Sequence, residues 1–107
     1  NFLELGTGVS TEILPLVVSG IYVAYEHYAP WCESVLSTPV VDCALQSGML
    51  DYYCTESHFP LTAHTLGAFE LGQDYLAMVS DICASRVFDI VFIDGRFRAG
   101  VAFLLRE

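Results

Sequence analysis

Asn1-Phe2-Leu3-Glu4-Leu5-Gly6-Thr7-Gly8-Val9-Ser10-Thr11 opens the chain, and its reading decides the fold. Phe2–Leu5 has the make-up of a buried strand. Two glycines spaced by one residue follow. Ser10 or Thr11 then caps a segment of helical periodicity, with Glu12 in its first turn. Glycine admits positive φ and lets backbone approach a ligand closely. A helix start adds free N–H groups and the positive end of the dipole. Strand, glycine turn and helix start together are the plan of a nucleotide-type ligand site. Glu26 lies 20 residues beyond Gly6, at the end of the next strand-like run, where a carboxylate can accept from ribose hydroxyls.

Further along, the pattern alternates strand and helix. Ile13, Leu16 and Val17 mark an apolar helix face, which Pro15 shortens or bends by removing an N–H. Residues 21–26 form a second strand, rich in β-branched and aromatic types. Pro30 suits the first turn of a helix carrying Trp31, Val35 and Leu36, and Pro39 stops it. Val40-Val41 is an ambiguous extended piece, Gly48 a turn, and Leu50–Cys54 the third strand. Residues 55–66, with His58, Pro60 and His64, read as a long loop. A helix from Gln73 or Asp74 carries Tyr75, Met78, Val79 and Ile82 on one face. Residues 88–93 are the fourth strand, Asp94-Gly95 the turn after it, and Phe97, Val101, Leu104 and Leu105 the face of a last helix. This order predicts an α/β fold: an open parallel sheet with helices on both faces, joined by right-handed crossovers.

Composition agrees. At 107 residues the chain is one domain at most, and 54% of it is hydrophobic. A mean hydropathy of +0.52 suits strands buried on both faces. No run approaches the ~20 apolar residues of a membrane helix, and no signal-peptide pattern opens the chain. A cytoplasmic location is expected on that ground. The net charge is −9 and there is no Lys, so nucleic acid is an unfavourable partner. Cys32, Cys43, Cys54 and Cys83 lack C-x-x-C spacing and read as reduced thiols, mostly buried, with no metal site. The chain starts almost inside a strand and ends without a helix stop signal, which reads as part of a longer domain.

Glu4-x-Gly6-x-Gly8-x-Ser10, then Glu26, then Phe88-Asp89-Ile90-Val91-Phe92-Ile93-Asp94-Gly95 resembles the N-terminal part of a class I S-adenosylmethionine-dependent methyltransferase. The resemblance spans nearly all of residues 1–107. It implies a Rossmann-like sheet of spatial order 3-2-1-4, S-adenosyl-L-methionine as cofactor, and a site over the carboxyl ends of strands one and four. It assigns Glu4, Gly6, Gly8, Ser10, Thr11, Glu26 and His27 to the cofactor, with Glu4 towards its methionine moiety and His27 flanking the adenine. Asp94 falls near the transferred methyl group and is the candidate catalytic residue. The family's sheet has further strands, so the fourth strand would be an apolar edge here. Adenine contacts would come from the place of Cys54, Thr55 and Glu56, where no motif is legible. The methyl acceptor and the oligomeric state are not legible either.

Other assignments compete. Arg96 and Arg98 either recognise an anionic group or open a solvated helix. Trp31 and the tyrosines read as packing residues rather than a base-stacking platform. A nicotinamide or flavin oxidoreductase would carry G-x-G-x-x-G/A, but Thr11 takes the third position, where a β-branched residue hinders close helix–strand packing. A degenerate methyltransferase module without turnover is the third possibility.

Overall fold

The computed structural model describes residues 1–54, 67–95 and 98–106. The order of elements is β1 (Phe2–Leu5), α1 (Val9–Ile13), a 3-10 turn (Leu14–Leu16), β2 (Tyr22–Glu26), α2 (Ala29–Leu36), α3 (Pro39–Gln46), β3 (Leu50–Cys54), α4 (Gly67–Ser85), β4 (Ile90–Ile93) and α5 (Arg98–Leu104). The four strands form one all-parallel sheet in the order β3-β2-β1-β4, as the sequence predicts. In register, Leu3 stands between Val23 and Val91, and Glu4 between Ala24 and Phe92.

The period of two along each strand divides the core in half. On one face Phe2, Tyr22, Ala24 and Leu50 pack with Val35 of α2 and with Val41 and Ala44 of α3. The Phe2 and Tyr22 rings stack there, 4.8 Å apart. On the other face Leu3, Leu5, Val23 and Tyr25 meet Tyr75 and Val79 of α4 and Val101 of α5. Each fully buried side chain of this size contributes about 1.5–3 kcal/mol relative to exposure. Helices cover both faces, which is why β1 and β2 are buried at every position. Arg86, just past α4, reaches edge strand β3 through an ion pair with Asp51 at 2.6 Å.

Several local expectations change. Pro39 does not end the helical region; it occupies the first turn of α3, where its missing N–H has no intrahelical partner to lose. Val41 and Ala44, three apart, then face inward, so a β-branched pair at 40–41 is helix and not strand. The fourth helix starts at Gly67, earlier than its apolar periodicity indicates, and β4 is limited to Ile90–Ile93. The predicted face of the first helix is overturned: Ile13, Leu16 and Val17 are all exposed. Pro15 ends α1 after five residues, and the 3-10 turn rotates the chain so that Leu14, Pro15 and Val18 pack inward instead.

The cysteines also differ from expectation. Cys32 of α2 and Cys54 at the end of β3 form a disulfide, with Cα atoms 6.1 Å apart. Cys43 and Cys83 remain free, and Cys43 is exposed. Sequence spacing alone could not pair 32 with 54, because the pairing depends on β2 and β3 lying side by side. As expected, β4 is an edge whose Ile90 and Phe92 lie open. Among the described residues no helix is long and apolar enough to cross a membrane. The loop expected over 55–66, with His58 and His64, and the residues Arg96 and Phe97 lie outside the described residues.

Candidate functional site

At the carboxyl end of β1 the chain must turn sharply beneath the end of β4. Gly6 does this with φ +94, a region that disfavours any Cβ. A Cβ at Gly6 would also lie 2.5 Å from the Cα of Gly95. The turn is clamped by Gly6 N–H donating to Tyr25 O at 2.8 Å and by Asp94 N–H donating to Leu5 O at 2.9 Å. Gly8 is different. Its φ of 171 is extended, and among the described residues a Cβ there would meet only Cζ2 of Trp31, at 4.0 Å. Close packing within the protein demands a glycine at 6. It makes no such demand at 8.

Two buried carboxylates sit under this turn. Glu4 is 0% exposed, in the middle of β1. It accepts from Tyr22 Oη at 2.7 Å, from Thr11 Oγ1 at 2.8 Å and from Ser10 Oγ. Burial raises its pKa, and the three hydroxyl donors only partly offset that. Thr11 Oγ1 also accepts from Gly8 N–H at 3.0 Å, so a single side chain joins the turn, α1 and the Glu4 carboxylate. The structure therefore brings Glu4, Ser10 and Thr11 together as one hydroxyl–carboxylate cluster, enclosed by the chain's own donors.

Glu26 ends β2 and is 3% exposed. Oε2 accepts from Thr7 N–H at 2.9 Å and from Thr7 Oγ1 at 3.1 Å. Oε1 accepts from the N–H groups of His27 and Tyr28, at 2.9 and 3.0 Å, and lies 3.1 Å from His27 Nδ1. Burial opposes the charge, but the His27 side chain and the backbone donors of Thr7 and Tyr28 outweigh it, and the pKa falls below the ordinary value. Glu26 is thus a stable anion, with about four lone-pair sites and a donor of this chain on each. His27 is buried against Glu26, edge-on to the Tyr75 ring.

Asp94 follows β4 at the rim. Its side chain is 60% exposed, and Oδ1 lies 3.3 Å from Arg98 Nη2. Arg98 Nε also donates to Gly95 O, at 3.1 Å. Asp94 shares the end of the sheet with the two buried clusters and hydrogen-bonds to neither through its side chain. Arg98, read as a candidate for an anionic group, is tied to Asp94.

Three participants escape the sequence reading. Thr7, between the glycines, supplies two of the donors to Glu26. Tyr52 of β3 places its hydroxyl on Thr7 Oγ1, and burial raises the Tyr52 pKa. Trp31, read as a packing residue, is 48% exposed, and its Nε1 donates to Thr7 O at 2.7 Å. The signal available for Thr7 was its place inside the glycine turn. Tyr52 and Trp31 reach the site only through the tertiary fold.

The arrangement offers an open glycine backbone, a buried anion one residue away, and an exposed acid at the rim. Among the described residues no group of three or more His, Cys, Asp or Glu side chains could hold a metal ion. A cleft of about 320 Å³ lies at the opposite ends of the strands, between Asn1, Val17, Gly20 and Ile90. No protein-family model, no curated protein and no solved structure matches the chain.

Proposed function

We propose that the chain binds S-adenosyl-L-methionine over the carboxyl ends of β1 and β4, against Glu26 at the end of β2, and serves methyl transfer to an acceptor. The observation that carries this reading is the contrast between its two glycines. Gly6 is required by the backbone of Gly95, whereas Gly8 leaves an open surface beside Thr7 and Glu26. A glycine whose missing side chain makes room for nothing among the described residues is suited to a ligand's close approach. The site also lies at the switch point of a 3-2-1-4 sheet, where open α/β folds bind ligands. Five-residue α1 adds little dipole, so the turn's own backbone and Glu26 supply the polar contacts.

In this reading Glu26, held ionised, orients the ribose, and Gly6-Thr7-Gly8 supports the ligand along its length. The sulfonium cofactor brings an already activated methyl group. The protein then has to align a nucleophile with it and, where needed, take its proton. Asp94, exposed at the rim with Arg98 Nη2 3.3 Å from its Oδ1, is the group available for that proton. Thr11 argues against a nicotinamide site. It is buried in the third fingerprint position, with its hydroxyl committed to Gly8 and Glu4.

One observation favours a second reading, a degenerate module without turnover. Both oxygens of Glu26 are engaged by the chain itself, so ribose hydroxyls would have to replace or share the Thr7 Oγ1 contact, the longest of its hydrogen bonds. Isothermal calorimetry with S-adenosylhomocysteine and with NAD separates the readings. Binding of the homocysteine compound alone is expected. Binding of NAD alone would overturn the methyltransferase reading, and binding of neither would favour the degenerate module.

A further inference from the structure

Trp31 is the chain's single tryptophan. It lies in the first turn of α2, after the Pro30 that starts the helix. Its Nε1 donates to the carbonyl of Thr7, the residue between the two glycines, at 2.7 Å. That bond fixes the five-membered ring at the turn. On the six-membered ring, Cζ2 is the atom nearest to where a Gly8 Cβ would stand, at 4.0 Å. Yet almost half of the residue's surface is open. A large aromatic side chain is ordinarily buried well beyond that, and this one is anchored by its only polar atom with ring surface left uncovered.

From this placement we infer that Trp31 is a ligand-contacting wall of the site, set to meet a planar or cationic group of the bound molecule. The inference rests on the proposed function, because it takes Gly8 as the place where the ligand touches backbone. A group in van der Waals contact with Gly8 on that side has the indole as its neighbour, since among the described residues no other side chain comes as near. Indole offers a π face for stacking on a base and attracts a cation through its quadrupole. S-adenosylmethionine carries both groups, an adenine and a sulfonium. The hydrogen bond to Thr7 O keeps the ring from swinging away, so little rotamer entropy remains to be lost on binding.

The single tryptophan makes the test direct. Titration of the wild-type chain with S-adenosylhomocysteine or S-adenosylmethionine should change the Trp31 fluorescence, with the same Kd that calorimetry reports. Trp31→Leu, which keeps apolar bulk and loses the π face, should weaken binding about 5- to 150-fold. Trp31→Phe, which keeps a ring and loses the anchor, should fall between. A larger loss for S-adenosylmethionine than for S-adenosylhomocysteine would put the sulfonium on the ring; equal losses would put the adenine there. Calorimetric binding with unchanged fluorescence and unchanged Trp31→Leu affinity would overturn the inference and leave the proposed function standing. Absence of calorimetric binding by the wild-type chain would overturn both. The wild-type titration needs no variant, so it decides the matter even if Trp31→Leu fails to fold.

Discussion

The Cα of Gly95 lies 2.5 Å from where a Cβ of Gly6 would stand, so the turn after β1 and the turn after β4 are packed backbone to backbone. This contact locks the inner strand to the edge strand at the end of the sheet where the candidate site lies. It also divides the roles of the two glycines. Gly6→Ala should be severely destabilising: a positive φ costs an L-residue about 1–2 kcal/mol, and the clash with Gly95 is added to it. Gly8→Ala should change stability by no more than about 1 kcal/mol. It should nevertheless weaken ligand binding, because the methyl group would fill the open surface. Urea denaturation and calorimetry on the same two variants test both halves. Comparable unfolding of both would remove the distinction on which the function rests.

Much of the architecture was legible because it depends on local pattern. Phe2–Leu5, Tyr22–Glu26 and Leu50–Cys54 are short apolar runs between turn residues, and their alternation with helical segments allows few topologies. Errors came where one residue has two meanings. Pro39 reads as a stop or as a helix start, and only the inward packing of Val41 and Ala44 decides. The site was half legible for a related reason. Glu26 and the glycines announce themselves by spacing. Tyr52, Trp31 and the Cys32–Cys54 pair join the site or its border through side-by-side strands, which no local window contains.

Thr7 and Glu26 form the most concentrated polar contact of the site. Glu26→Ala should leave three backbone N–H groups without their acceptor. A hydrogen bond to a charged group contributes about 1.5–3 kcal/mol, so a loss of at least that size is expected. Thr7→Val removes the hydroxyl that donates to Oε2 and also the partner of Tyr52 Oη, so it should cost about 1–3 kcal/mol. It also releases one acceptor site on Oε2. A ligand presenting hydroxyl groups should then bind at least as tightly to Thr7→Val as to the unmodified chain. Weaker binding of S-adenosylhomocysteine to a folded Thr7→Val variant would mean that the ligand needs the Thr7 hydroxyl itself.

Glu4 and Glu26 should give opposite dependences on pH. The Glu26 carboxyl is held below its ordinary value of 4.5 in the folded state. Its contribution is therefore present above the unfolded pKa and is lost as pH falls through the lower folded value. The Glu4 carboxyl is raised above 4.5 by burial, so the folded state takes up that proton more readily than the unfolded chain does. Stability linked to Glu4 is full below 4.5 and declines as pH rises through the raised folded value. Thermal melts from about pH 3 to about pH 7 should show both. Glu26→Gln should flatten the loss on the acid side, and Glu4→Gln the decline above 4.5. A Glu4→Gln variant whose melting temperature follows the unmodified chain across the whole range would show that Glu4 does not titrate differently on folding.

The disulfide supplies the last expectation. Cys54 is the register partner of Glu26, and Cys32 lies in the helix that follows Glu26, so the bond joins β3 to α2 at the border of the site. The sequence separation is 22 residues. Closing a loop of that length in the unfolded chain stabilises the fold by about 3 kcal/mol in the chain-entropy description. Reduction should therefore lower the melting temperature, and Cys32→Ser should do the same without sensitivity to reductant. The free thiols Cys43 and Cys83 serve as the control, since their replacement by Ser should leave the effect of reductant intact. The bond also bears on the expected location. Bonds of this kind persist in oxidising compartments and are rare in the reducing cytosol. If the melting temperature of the unmodified chain is indifferent to reductant, the pair contributes nothing to stability, and the cytoplasmic location expected from the sequence carries no penalty.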